Sequence, residues 1–224
     1  MNLSEAIKAR HSVRSYTDKK IERETEDQLR QIIDECNRES ALHIQLCLNE
    51  PKVFSGIMAR YGKFKNAQNY IALVGKKADD LEEKCGYYGE KIVLRATQLG
   101  LHTCWVAMTY SKSKTSCVIE EGEKLLIVIS IGYGEDAGVP HAKMKSIEEL
   151  CHAKHPLPDW FRHGMEAAQL APTAMHQQKF LITLLDENLV KITAPSGFYT
   201  KIDLGIVKYH FEVGVGNRNW KWAD

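Results

Sequence analysis

Two short segments far apart in the chain carry most of the side chains that could bind a phosphate or a planar ring. The first, Arg10-His11-Ser12-Val13-Arg14, follows a short helical pattern. Arg10 and Arg14 can make planar, bidentate contacts with a phosphate or a ring carbonyl, and Ser12 can donate to a phosphate oxygen. The alternative is a basic helix end in solvent, where cations interact favourably with the helix dipole. On spacing alone, this second interpretation is favoured.

The second segment covers residues 171–180, between a helical pattern and a strand pattern. Pro172 ends the helix, so the backbone that follows is free to offer N–H and C=O groups to a planar heterocycle. Gln178 supplies both a donor and an acceptor, which suits an imide-like ring edge. His176 could do the same, or it could be an ordinary loop histidine.

A third candidate segment is basic. Lys143 and Lys145 alternate shortly after a Gly-Tyr-Gly turn at 132–134, so in an extended segment they would point the same way and could close on one anion. Taken alone, a solvated basic loop is the favoured interpretation.

Residues 99–108 are predicted to join a helix end to a loop, with Gly100 permitting the turn. Trp105 could pack against a ring system or fill the core. The neighbouring Cys104 is expected to be buried and unreactive.

Composition narrows the classes of protein. The chain has 224 residues and a formal net charge of +1, so no general surface for nucleic acid is implied. No run approaches the roughly 18 apolar residues that span a bilayer, and the charged, polar start has no signal-peptide core. No pair of cysteines forms a C-x-x-C motif, which argues against a zinc site or a redox dithiol. We therefore expect a cytoplasmic protein with reduced thiols, no membrane segment and no bound metal. The six cysteines are Cys36, Cys47, Cys85, Cys104, Cys117 and Cys151.

Periodicity predicts a mixture of helices and strands. Besides a short helix before Arg10, the helices are predicted at 25–38, 86–99, 159–170 and 204–213, and the strands at 42–48, 70–74, 125–131, 180–185 and 190–193. The strand at 125–131 is apolar on both faces and is expected to be central. A helix followed by a strand occurs in both parts of the chain, which is either a faint internal repeat or a common unit met twice.

These segments, in this order, resemble the nitroreductase-like flavoprotein family. Arg10-His11-Ser12-Val13-Arg14 is similar to its Arg-x-Ser-x-Arg segment, and residues 99–105 are similar to its Leu-Gly-Leu-Gly-Thr-Cys-Trp segment. Residues 131–134 with the basic pair resemble its Gly-Tyr turn and late basic residues. Residues 171–178 resemble its Ala-Pro-Ser-x-x-Asn-x-Gln segment. That last segment usually lies early in the family's chains, and its late position resembles a divergent branch in which one chain imitates the usual homodimer.

Four positions depart from the family pattern. His102 replaces a glycine, His176 replaces an asparagine, and Lys179-Phe180 replaces Pro-Trp. Histidine keeps a hydrogen-bonding edge, but its charge can change with pH. The departures concern individual ring contacts more than the binding of flavin itself.

The resemblance implies an α+β nitroreductase-like fold, with a mostly antiparallel central sheet flanked by helices. This fold is expected to form a single domain over residues 1–224, with 1–155 and 156–224 as candidate related halves. It also implies bound flavin mononucleotide (FMN), with Arg10 and the lysine pair on the phosphate and Arg14 near the N1–C2=O edge. The residues that it assigns to flavin binding are Arg10, His11, Ser12, Arg14, Trp105, Ala107, Met108, Lys143, Lys145, Pro172, Thr173, Ala174, Met175, His176 and Gln178.

The implied activity is an oxidoreductase that passes electrons from NAD(P)H, through flavin N5, to a small oxidant such as a nitroaromatic or a quinone. The flavin carries the chemistry, so no catalytic side chain is assigned. A non-catalytic flavin-binding or storage protein and a flavin-free remnant are the alternatives. The resemblance is compatible with a monomer or a homodimer.

Overall fold

The structure, a computed structural model, describes residues 1–139, 143–153 and 156–223. No helix in these ranges is long and apolar enough to cross a membrane. The helices are α1 (Leu3–Ala9), α2 (Arg23–Ser40), α3 (Ile57–Tyr61), α4 (Leu81–Gln98), α5 (Ile147–Leu150), α6 (Asp159–Gln169) and α7 (Thr200–Val215), and the strands are β1 (Gln45–Cys47), β2 (Tyr70–Lys76), β3 (His102–Val106), β4 (Glu123–Gly132), β5 (Cys151–His152), β6 (Leu181–Asp186), β7 (Leu189–Thr193) and β8 (Lys221–Trp222).

The chain divides into two compact units, which are described separately below. The first contains Met1, Ala9–Leu81 and 91–139. The second contains Asn2–Lys8, Glu82–Glu90 and the described residues from 143 onward. The central part of the chain therefore contributes to both units.

The first unit is built on an antiparallel sheet in the order β1-β2-β4-β3. The apolar run in β4 places this strand inside the sheet, as its sequence predicted, and Val128, Ile129 and Ser130 are fully buried. Helix α2 contacts β1 and buries the stripe that includes Leu29 and Ile33. The expected sheet of mostly antiparallel strands flanked by helices is confirmed.

The second unit has its own sheet in the order β5-β6-β7-β8. The hairpin β6–β7 is antiparallel, as predicted around residues 186–188, and the two-residue strands at each edge run parallel to their neighbours. Helices α6 and α7 pack closely because Gly164 faces Phe211, where a Cβ atom would lie 2.6 Å from the ring. This unit therefore has a helical layer of its own beside its sheet.

A second close helix contact lies in the same unit, between the Glu82–Glu90 part of α4 and helix α7. A Cβ atom at Gly86 would lie 2.0 Å from the Ile202 carbonyl oxygen, and one at Gly205 would lie 2.0 Å from the Glu83 carbonyl oxygen. Ile202 precedes Gly205 by one helical turn, as Glu83 precedes Gly86, so the two contacts are reciprocal. Only glycine permits this approach at either position.

An acid and a histidine are buried beside this contact. Glu90 and His210 are both fully buried, and Glu90 Oε1 lies 2.8 Å from His210 Nε2. His210 Nδ1 donates to the Ala167 carbonyl at 3.0 Å, because a carbonyl can only accept. Both ring nitrogens therefore have partners, as buried polar groups require.

Most of the predicted elements are confirmed, with shifted ends. The strand expected at 42–48 is shorter and covers only Gln45–Cys47, because the ladder with β2 includes only these three residues. The helix expected from 204 begins four residues earlier, at Thr200. Gly100 adopts a φ of +78° directly after α4, as expected for a helix terminator. The prediction of a loop over 99–108 was wrong, because His102–Val106 forms edge strand β3, paired with β4. The backbone of this segment pairs with β4, the next strand along the chain, and on its other edge with Ser12 and Val13.

The order helix, strand, strand, helix, strand occurs twice when the short α3 is set aside. It runs through α2, β1, β2, α4 and β3, and again through α6, β6, β7, α7 and β8. The single domain and the related halves proposed from sequence stay hypotheses.

Candidate functional site

The basic segment near the start of the chain lies beside strand β3 of the first unit. Ser12 forms a parallel bridge with Thr103, and the Val13 amide donates to the Thr103 carbonyl at 3.0 Å. The Lys65 amide donates to the Arg14 carbonyl at 3.0 Å. Residues 12–14 are thus extended, so consecutive side chains point to opposite sides.

The inward side chains anchor this segment. Val13 and Tyr16 are buried, each with 2% of its surface exposed. The Tyr16 hydroxyl donates to the Val13 carbonyl at 2.8 Å and lies 2.7 Å from Ser130 Oγ in β4. Burial raises the pKa of Tyr16 well above its ordinary value, so the phenol keeps its proton.

Ser12 and the charges of the half-buried Arg10 and the exposed Arg14 act on the buried thiol of Cys104. Burial raises the pKa of Cys104, and the charge of Arg14, a hydrogen bond with Ser12 and the charge of Arg10 partly offset that rise. Two guanidinium groups and a hydroxyl therefore act on one buried point. Such a set can hold a phosphate or a ring carbonyl, which is the chemistry predicted from the sequence.

Two histidines lie on the side of the segment that faces the loop after β4. The Nδ1 atom of His11 is buried and has no hydrogen-bond partner within the described residues. His102 Nδ1 accepts from the Gly134 amide at 3.2 Å. Burial lowers the pKa of His102, Asp136 opposes that change and His11 adds to it. A buried nitrogen without a protein partner is a place where a ligand group can bind.

Trp105, Ala107 and Met108 lie at the end of β3. Trp105 pairs with Ile129 of β4, and its side chain is only half-buried, so it does not simply fill the core. Met108 follows the strand and is 62% exposed. Because β3 is a strand and not a loop, its sheet partner fixes the direction of these residues relative to Ser12.

In the second unit, residues 173–178 form a tight turn. The His176 amide donates to the Thr173 carbonyl at 2.9 Å, and the Gln178 amide donates to Thr173 Oγ1 at 3.0 Å. Met175, His176 and Gln178 have φ values of 50°, 53° and 43°. Each such residue costs about 1 kcal/mol, so other contacts must hold the turn.

The basic residues of this unit contact the same turn. The Lys145 amide donates to Gln178 Oε1 at 2.8 Å, and its ammonium donates to the Gln178 carbonyl at 2.9 Å. Gln178 Nε2 donates to the Gln169 carbonyl at 3.0 Å. His176 Nε2 lies 2.9 Å from the carbonyl oxygen of Lys143 and donates to it. Gln178 thus uses its amide within the protein, and its predicted contact with a ligand ring stays a prediction.

The sequence analysis missed Asp203, in the first turn of α7. One carboxylate oxygen accepts from the Ala174 amide at 3.0 Å, and the other accepts from Gln177 Nε2 at 2.7 Å. Burial raises the pKa of Asp203 to about 6, although the bonds from Gln177 and Ala174 oppose the rise. The available signal was an acidic residue between apolar Ile202 and Leu204.

No group of three histidine, cysteine or acidic side chains within 1–139, 143–153 and 156–223 is arranged to hold a metal ion. All six cysteines are free thiols. The candidate site is therefore one of cationic and hydrogen-bonding groups.

Comparison with known proteins adds the family. The family whose profile matches residues 2–215 is described as "Putative TM nitroreductase". A Thermotoga maritima structure, described as a putative nitroreductase, is 24% identical with a TM-score of 0.68, and the match covers 96% of this chain and 83% of that one. No curated protein sequence matches the chain.

Two further solved structures match about two thirds of the chain. A nitroreductase family protein from Streptococcus pneumoniae TIGR4 is 16% identical with a TM-score of 0.52, over 66% of this chain and 98% of that one. A variant of an FMN and NADPH-dependent nitroreductase from sphigopyxis sp. strain HMH is 13% identical with a TM-score of 0.51, over 67% and 97%. At these identities the structures show a common fold, and the profile extends over nearly the whole sequence. The chain therefore belongs to this nitroreductase family.

Proposed function

We propose that the protein is an FMN-dependent oxidoreductase that passes electrons from NAD(P)H to a small organic oxidant, such as a nitroaromatic or a quinone. The observation that carries this proposal is the convergence of Arg10, Ser12 and Arg14 on one buried point beside β3, in a chain of the nitroreductase family. A solved structure of the same fold is an FMN and NADPH-dependent nitroreductase, which supports the same cofactor and donor here.

The residues of the first unit suit FMN in their chemistry. Two guanidinium groups and a hydroxyl match a phosphate and a ring carbonyl, and the buried Nδ1 of His11 is available to a further polar group. We assign Arg10 and Ser12 to the phosphate and Arg14 to the N1–C2=O edge. When bound, FMN supplies the redox chemistry.

Arg14 has an electrostatic role in this assignment. A fixed positive charge near N1 stabilises the negative charge that reduction places there, and it needs no rearrangement during the reaction. Arg10 adds a second positive charge that favours an anionic ligand.

Cys104 has no part in the reaction. It is 3% exposed and burial raises its pKa, so it remains a neutral thiol near pH 7. A thiolate is the nucleophilic form of cysteine. The proposed function therefore assigns no covalent step to this chain.

The remaining assignments from the sequence stay proposals. Lys143, Lys145 and residues 172–178 are proposed to contact flavin, and the protein is proposed to act as a monomer or a homodimer. Six free thiols agree with the proposed location in the cytoplasm.

The decisive experiment is the visible spectrum of the purified protein before and after anaerobic addition of NADH or NADPH. We expect a bound flavin spectrum that bleaches with one of the two nicotinamides, and mass analysis of the released cofactor should give FMN without adenine. Flavin that neither nicotinamide reduces would indicate a storage protein. A protein that stays colourless after incubation with FMN would refute flavin binding.

A further inference from the structure

We propose that Asp203 is a positioning residue for flavin: its carboxylate holds the turn at 173–178 in the conformation that binds the cofactor. The inference rests on the proposed function, which assigns this turn to flavin. The sequence motif of the turn does not include Asp203, which lies some thirty residues later, on another element.

The carboxylate contacts both sides of the strained part of the turn. Oδ1 accepts from the Ala174 amide, just before the residues with positive φ, and Oδ2 accepts from the side chain of Gln177, just after Met175 and His176. One rigid group therefore fixes the separation between the two sides. Positive φ at two successive non-glycine residues persists only where surrounding contacts hold it.

Helix α7 gives the carboxylate a fixed position. Asp203 is 4% exposed, and its neighbours Ile202 and Thr200 are also buried. Gln177 Nε2 donates in addition to the Phe198 carbonyl at 3.1 Å, so its amide orientation is fixed as well. If the Gln177 amide were flipped so that its oxygen faced Asp203, the hydrogen bond to the Phe198 carbonyl would be lost.

The charge of Asp203 matters for this role. The ionised carboxylate accepts both bonds, whereas a protonated carboxyl has one oxygen that donates. Burial is the main cause of the raised pKa of about 6, with no charged side chain of the described residues contributing. The other titratable group in the turn is His176, which donates to the Lys143 carbonyl. Those on α7 are the exposed Lys201 and, further along the helix, Lys208, Tyr209, His210 and Glu212. The hydrogen bonds by which Asp203 holds the turn should therefore weaken as the pH falls below about 6.

The test compares wild-type protein with Asp203→Asn, which keeps the shape of the side chain but presents a donor to Gln177. FMN dissociation constants are measured by equilibrium dialysis from pH 5 to pH 8. We expect wild-type affinity to fall towards pH 5, and Asp203→Asn to bind about tenfold more weakly than wild type at pH 7.5, with less dependence on pH. The matched control is Asp186→Asn, an exposed hairpin residue of the same unit, which should behave as wild type.

The outcomes separate the inference from the proposed function. If the wild-type protein binds no FMN, the proposed function is wrong and this inference falls with it. If the wild type binds FMN and Asp203→Asn binds it equally at every pH, the proposed function stands and Asp203 has no positioning role.

A second variant covers the case in which Asp203→Asn does not fold, as judged by circular dichroism. Gln177→Ala removes one of the two hydrogen bonds between the turn and Asp203, and it leaves the sequence of helix α7 unchanged. It should weaken FMN binding in the same direction, and unchanged affinity would overturn the inference.

Discussion

Asp203 should make the folded protein less stable as the pH rises through the acid range. Its folded pKa of about 6 lies above the ordinary value of 3.8, so the folded state holds the proton more tightly than the unfolded state. The stabilising contribution of the protonated form is therefore fully present below pH 3.8 and is lost as the pH rises through 6. The buried position explains the direction, because leaving water disfavours the charged form.

The size of this effect follows from the shift. Each pKa unit corresponds to about 1.4 kcal/mol, so a rise from 3.8 to about 6 corresponds to about 3 kcal/mol. About 2 kcal/mol of this is lost between pH 4.5 and pH 7. The side chain at position 203 of the Asp203→Asn variant carries no charge at either pH. The unfolding free energy of this variant therefore lacks the pH-dependent contribution of Asp203.

The assay is urea unfolding of wild type and Asp203→Asn at pH 4.5 and pH 7. Tryptophan fluorescence reports on the second unit through the packed rings of Trp160, Trp220 and Trp222. We expect the unfolding free energy of Asp203→Asn minus that of wild type to be about 2 kcal/mol larger at pH 7 than at pH 4.5. Asp186→Asn should show no such change. A constant difference between Asp203→Asn and wild type would refute the raised pKa.

Other positions give contrasting expectations. Arg10→Ala should lower FMN affinity about tenfold to a hundredfold with little change in the flavin redox potential. Arg14→Ala should lower the redox potential and slow reduction by nicotinamide, with a modest loss of FMN affinity. Equal shifts in redox potential for the two variants would contradict these roles. His210→Ala should cost about 3 kcal/mol or more of unfolding free energy because it leaves the Glu90 carboxylate buried without its partner. Glu90→Gln should cost about 1 kcal/mol because the Gln amide can donate to the neutral ring of His210. Chemical denaturation should show the larger loss of stability for His210→Ala. Gly205→Ala should cost about 1–3 kcal/mol or more in the same assay, because its Cβ would meet the Glu83 carbonyl.

The steric prediction has a control in the same unit. A Cβ atom at Gly197 would lie 3.3 Å from the nearest heavy atom, the side-chain Cγ2 of Thr200, so a small shift relieves the contact and Gly197→Ala should cost much less than Gly205→Ala. Equal effects of the Gly197 and Gly205 substitutions would show that the helices separate easily.

Local patterns predicted the elements whose burial is also local. The stripe in α2 and the continuous apolar run in β4 each carry their own signal, and both were confirmed. Strand β3 carries none, because Gly100 and a polar His102 look like a turn, and only pairing with β4 makes the segment a strand. Strands β5 and β8 have two residues each, too few for a period to be recognised.

The same distinction holds for the candidate site. Residue types pointed to Arg10, Ser12 and Arg14, and in the structure all three act on the Cys104 thiol. The sequence could not show that Gln178 spends its amide on Lys145 and Gln169, because that depends on contacts between separate elements. Asp203 was missed for a similar reason: an acid in a helix is usually solvated, and its burial depends on the turn that covers it.

The reciprocal contacts of Gly86 and Gly205 have the pattern of an isologous interface, in which each side offers the other the same patch. When two identical subunits form such an interface, symmetry builds every contact twice. A single chain is released from that rule. The correspondence that matches Gly86 to Gly205 matches Glu90 to Tyr209 and His210 to Lys91, which cannot form an acid–histidine pair of the same kind. The buried Glu90–His210 pair is thus a contact that occurs once, on one side of a locally symmetric crossing, because within a single chain the two helices carry different residues at the matched positions.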